Sequence, residues 1–85
     1  MRTVYKYDIT RGYAEIPTPF KVRKVGYQAM TLCLWAEVDT KNSPRRFEFF
    51  AVPTGGTVPE IADLEYLDTV FEGAFVWHIY YVNNQ

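Results

Sequence analysis

Leu32-Cys33-Leu34-Trp35-Ala36-Glu37-Val38 is the segment that decides the fold class. Leu32, Leu34, Ala36 and Val38 share one parity, while Cys33, Trp35 and Glu37 share the other. Period two with one apolar face marks a half-buried β-strand. Upstream, Thr3–Ile9 alternates in the same way, with Tyr5, Tyr7 and Ile9 on one face and Lys6 and Asp8 on the other. Arg11-Gly12 then supplies a turn. Tyr13–Ile16 predicts a short strand, stopped by Pro17 and Pro19. In Phe20–Gln28 the alternation breaks: Phe20 and Val22 have one parity, Val25 and Tyr27 the other. A β-bulge near Arg23-Lys24 restores the facing, and Gly26 marks a bend or a close approach.

Downstream, Asp39–Pro44 is a polar turn. Arg45–Val52 predicts a strand with Phe47 and Phe49 on one parity and Phe50 and Val52 on the other. Such two-sided apolarity implies burial on both faces or an interface. Pro53–Pro59, with Gly55-Gly56, predicts a loop, and Glu60–Leu64 one short helical turn at most. Glu65–Glu72 and Ala74–Val82 form a hairpin around Gly73. No segment sustains the helical periodicity of a stable amphipathic helix. The expectation is one all-β domain over residues 1–85, a small antiparallel barrel or sandwich of six to seven strands. Leu34, Ala36, Phe47, Tyr66 and Val76 are the expected core.

An apolar fraction of 48 % and an aromatic fraction of 18 % offset the small size of the chain, because rings bury much area per residue. Cys33 is the only cysteine, which excludes an intrachain disulfide and fits a reducing compartment. The N-terminal residues read as a strand with no signal-peptide core. The longest apolar runs, Leu32–Ala36 and Ala74–Trp77, are far too short to span a bilayer. The expectation is a cytoplasmic protein with no membrane segment.

Charge is divided along the chain. All nine basic residues lie between Arg2 and Arg46, whereas Phe47–Gln85 carries six acids and no base. Either the halves neutralise each other across neighbouring strands, or the fold presents one positive and one negative face. The second arrangement attracts an anionic partner or another copy of the chain. The formal net charge of −1 argues against nucleic acid as the partner.

No complete catalytic or metal motif is present, and no cofactor is implied. His78, the only histidine, lies in an apolar strand with parity opposite to Trp77 and Ile79. A satisfied structural histidine is the favoured reading over a ligand contact. Ser43 sits in a polar turn and Cys33 within a strand, so a Cys33–His78 dyad is the one hydrolytic pairing and the remoter alternative. Asp63, Glu65, Asp68 and Glu72 read as solvated strand edges and turns. Gly55-Gly56 lacks the Gly-Lys-Ser/Thr that completes a phosphate loop. The best binding candidates are Arg23, Lys24, Arg45 and Arg46. Adjacent basic residues on a strand put one charge on each face; if Arg46 shares the side of Phe50 and Val52, it is flanked by apolar surface. There it either pairs with an acid such as Glu48 or Asp68 or receives an anionic ligand. Trp35 and Trp77 offer stacking surfaces, with His78 nearby.

Several segments carry a family resemblance. They are Thr3–Tyr7, Cys33–Asp39, Arg45–Glu48, Thr54-Gly55, Tyr66–Val70 and Val76–Ile79, in that order and spacing. Together they resemble a family of short tailed-phage and prophage proteins, a domain of unknown function with a Cys-Leu-Trp-Ala core strand. The chain departs from that pattern after Thr54-Gly55, where members often have His-Pro and this chain has Gly56-Thr57. The resemblance implies a setting in phage–host biology, in the host cytoplasm, and transfers no catalytic residue.

The leading expectation is a non-enzymatic binding protein that self-associates and sequesters a nucleotide-like host defence signal. The alternatives are a protein–protein inhibitor of a host factor, a minor virion or assembly protein and, last, a small nucleotide-cleaving enzyme.

Overall fold

In the computed structural model, which describes residues 1–85, alternation and turn chemistry divide the chain into seven strands: β1 (Arg2–Asp8), β2 (Tyr13–Pro17), β3 (Lys21–Gln28), β4 (Thr31–Asp39), β5 (Pro44–Pro53), β6 (Leu64–Glu72) and β7 (Phe75–Val82). They form two antiparallel sheets, β1-β4-β3 (sheet I) and β2-β5-β7-β6 (sheet II). There is no helix; Glu60–Leu64 has no helical turn, and Asp63 makes its bend at φ 63°. The molecule measures 40 × 31 × 18 Å, and the thin dimension reflects two face-packed layers.

Inward parity from both sheets fills the space between them. Leu34 and Ala36 of β4 and Ile16 of β2 meet Phe47 of β5 and Ile79 of β7, all at most 1 % exposed. Phe20 and Phe47 meet edge to face with ring centroids 4.9 Å apart, and Phe49 stacks on Tyr81 at 5.9 Å. Every buried residue is hydrophobic. Burial holds the Tyr81 phenol above its ordinary pKa, although Gln85 donates to its oxygen.

Two bulges set the facing of the strands that border the gap between the sheets. The first lies in β3 between Val22 and Lys24, where the broken alternation predicts it. The second lies in β6 between Tyr66 and Asp68. Before it, Tyr66 pairs with Tyr80 on the outer face of sheet II; after it, Val70 pairs with Trp77 on the inner face. Tyr66 is therefore 50 % exposed, contrary to its expected place in the core. Val76 pairs with Phe71 on the outer face, and it too leaves the expected core, half-buried.

No ladder joins β3 to β6 or β1 to β2, so the barrel is open at both seams. Along the first seam, Lys21–Val25 face Glu65–Asp68, and Lys24–Tyr27 face Asp68–Phe71. The two edges therefore run in the same direction.

Candidate functional site

Sheet I builds a basic outer face around one indole. Register puts Lys6 of β1 and Lys24 of β3 on either side of Trp35 of β4. All three have outward parity, opposite to Leu34 and Ala36. The bulge after Val22 keeps Arg23 on this face beside Lys24, so two consecutive basic residues share one surface. Arg2 and Lys21 flank Asp39 and Glu37 on the same side.

One carboxylate organises the arginines. Glu37 accepts from Arg2 Nε at 3.1 Å and from Arg2 Nη2 through one oxygen. Its other oxygen accepts from Arg23 Nε at 3.0 Å and Nη2 at 2.6 Å. Those hydrogen bonds, Arg23 first and then Arg2, hold its pKa down to about 2. The clamp ties β1, β4 and β3 together and occupies both guanidinium groups. Lys6, Lys21 and Lys24 pair with no carboxylate. Lys6 Nζ donates to Gln28 Oε1 at 2.8 Å, spanning β4 at the level of buried Cys33. The Lys24 side chain lies over Gly26, with Nζ 3.9 Å from where a Cβ at that glycine would stand.

The structure thus separates residues that the sequence analysis grouped. Trp35, Arg23 and Lys24 belong to sheet I, whereas Arg45, Arg46, Trp77 and His78 belong to sheet II. Arg45 and Arg46 do take opposite parities, opposite Ile16 and Glu15 respectively. Arg45 Nη2 donates to the Asn84 carbonyl at 2.7 Å, beside the Phe47 ring. Arg46 has outward parity, as Phe50 and Val52 do, but forms no ion pair. Its guanidinium carbon sits 3.7 Å from the Tyr13 ring centroid, and that of Arg11 sits 4.3 Å from the same ring. Trp77 packs against the core, and its Nε1 donates to Glu72 Oε1 at 3.3 Å. It is no platform for a ligand on the Trp35 face.

His78 and Cys33 occupy different sheets, so no dyad forms. The partners of His78 are two threonines that the sequence analysis did not single out. Thr54 Oγ1 lies 2.8 Å from Nε2 and Thr69 Oγ1 3.0 Å from Nδ1, with Tyr66 OH 2.5 Å from the Thr69 hydroxyl. This chain of hydroxyls ties the β5–β6 loop to β6 and β7. Only the pairing of Thr69 with His78 across the ladder brings them together, and that pairing depends on the β6 bulge. No group of three or more His, Cys, Asp or Glu side chains converges as metal ligands. No helix is long and apolar enough to cross a membrane.

The bases of the first half and the acids of the second form no ion pair with each other. Bases concentrate on the outer face of sheet I, and along the β3–β6 seam Lys21, Arg23 and Lys24 face Glu65 and Asp68. The outer face of sheet II carries Phe50, Tyr66, Phe71 and Tyr80, with Phe71 71 % exposed.

No curated protein and no solved structure matches the chain. A family model does match, over residues 1–85, and the protein belongs to that family, the domain of unknown function DUF7352.

Proposed function

We propose that this domain is a non-enzymatic binding protein for an anionic, nucleotide-like ligand, held on the outer face of sheet I. The observation that carries the reading is the placement of Trp35 between Lys6 and Lys24. An indole with a cation on each side supplies a stacking surface for a base and charge for a phosphate. The Arg2–Glu37–Arg23 clamp stiffens the three strands beneath and leaves Lys6 and Lys24 without a carboxylate partner. Self-association through the aromatic outer face of sheet II belongs to the same proposal, since a small domain gains by covering such a surface. The phage or prophage setting, and sequestration of a host signal as the biological purpose, rest on the family resemblance of the sequence.

A Trp77→Phe variant leaves Trp35 as the sole indole reporter. Nucleotides titrated into it are expected to change the Trp35 fluorescence. Trp35→Ala, with binding then followed by calorimetry, is expected to lose about 1–3 kcal/mol of affinity, the worth of one stacked base. Native mass spectrometry on the same samples reads the subunit count and whether the ligand is released intact. A nucleotide panel that neither alters Trp35 fluorescence nor adds mass would end the proposal. Cleaved products would replace it with an enzymatic one.

A further inference from the structure

The seam between β3 and β6 holds the largest cavity of the molecule, about 540 Å³, which continues into a second of about 300 Å³ along the same two strands. The first lies within the size range of small-molecule sites, roughly 300–1,000 Å³. Its walls are opposite in sign. Lys21, Arg23 and Lys24 stand along the β3 side, and Glu65 and Asp68 along the β6 side. Between them lie apolar groups: Phe20, Val25, Leu67 and Tyr81.

Facing charges would ordinarily close on each other, yet here they do not. The ion pairs of the molecule join Met1 to Asp39, and Arg2 and Arg23 to Glu37. None crosses the seam. Arg23 is already taken by Glu37, and the backbone keeps the remaining edges apart. The bulge of β3 after Val22 and the bulge of β6 after Tyr66 border the same stretch of groove. A bulge bends its strand and interrupts regular pairing, and two facing each other prevent the edges from zipping together. The ladders to β4 and β7 then hold the two charged walls in place. Secondary contacts fix the acidic wall further: Asn83 Nδ2 donates to Glu65 Oε1 at 3.0 Å, and Asp68 Oδ1 accepts the Thr69 N–H at 2.8 Å. Opposite charges held apart over an apolar floor are preorganised for a ligand that carries both charges.

We infer that the β3–β6 groove binds a small zwitterion with an apolar body, of the amino-acid or dipeptide class. The anionic end meets Lys21 and Lys24, and the ammonium end meets Asp68 and Glu65. This site shares Lys24 with the Trp35 face but differs from it in its acidic wall, because neither Glu65 nor Asp68 belongs to that surface.

The test is titration of the intact protein with the dipeptide Leu-Phe, followed by amide chemical shifts. The N-acetyl and C-amide forms of the same peptide serve as comparisons. The free dipeptide is expected to shift amides on both sides of the two bulges. Removing either terminal charge is expected to weaken binding about three- to fivefold, the worth of a partly exposed ion pair. Asp68→Asn should weaken binding of the free dipeptide and leave the N-acetyl form unaffected; Lys21→Gln should do the same with respect to the C-amide. Both side chains are exposed, and melting curves of the two variants confirm that the fold persists. The inference is overturned if the dipeptide shifts no seam amide at millimolar concentration, or if blocking its ends leaves the affinity unchanged.

Discussion

Glu37 sits on the middle strand of sheet I with an arginine against each carboxylate oxygen. The Arg23 and Arg2 hydrogen bonds lower its pKa from 4.5 to about 2. Asp8, through Thr10, and Asp39, through Lys41 and the N-terminal ammonium, are shifted in the same direction. A carboxylate depressed by folding contributes stability that is fully present above its unfolded pKa and is lost as pH falls through the folded value. The melting temperature is therefore expected to be flat from the ordinary carboxylate range up to the tyrosine range near 10.0 and to fall between about 4.5 and 2, the span of the Glu37 shift. Glu37→Gln should flatten much of that decline. Melting curves of parent and variant across this range check it, and parallel profiles would show that the clamp adds nothing. The acidic partner of the basic face could not be read from residue types alone. Arg2, Arg23 and Glu37 are distant in sequence, and only the β1-β4-β3 register stacks them.

At the scale of elements, the turn between β3 and β4 is the one most at odds with its sequence. Gln28 pairs with Thr31, leaving Ala29 and Met30 as a two-residue loop with φ 50° and 67°. Positive φ at both positions is the type I′ pattern, for which Asn-Gly is preferred. Each L-residue there costs roughly 1–2 kcal/mol. Met30 is 90 % exposed and gives nothing back to the core. Ala29→Asn combined with Met30→Gly is expected to stabilise the protein by about 1 kcal/mol. Denaturant unfolding measures this, and a loss of stability would mean that the Met30 side chain has a role in the fold. The β6–β7 turn shows the opposite case, since Gly73 announces it and adopts φ 56°. The two bulges differ in the same way. That of β3 is legible because Val22 and Val25 change parity, whereas Tyr66, Leu67 and Val70 fit a strand with or without one. Missing it assigns Tyr66 to the core and hides the Thr69–His78 contact.

At the scale of the molecule, one core serves both sheets. Leu34 from sheet I and Phe47 and Ile79 from sheet II are the most deeply buried large side chains, together with Ile16 and Val38. With no ladder across either seam, the sheets are held together chiefly by this core and by the connecting loops. They are expected to unfold as one cooperative unit. Each sheet contains one tryptophan, Trp35 or Trp77, so single Trp→Phe variants report on each layer separately. Coincident denaturation curves are expected, and separated midpoints would show that the layers melt independently. Leu34→Ala should cost about 2–5 kcal/mol and shift both curves together. A loss confined to the Trp35 signal would mean that the core is not shared.

Alternation by itself determined the all-β class, the strands and most of the inward faces, because period-two burial is a local property of each segment. It also marked the bulge at Arg23 and placed Arg45 and Arg46 on opposite faces. Which strands became neighbours was decided only by the tertiary structure, through hydrogen-bond registers between segments remote in sequence. That choice put Trp35 between Lys6 and Lys24 and sent Trp77 to the core. It also gave His78 two threonine partners, and it set the basic edge of β3 against the acidic edge of β6. Charge along a chain is one-dimensional, and a seam or a face exists only after the sheets have packed.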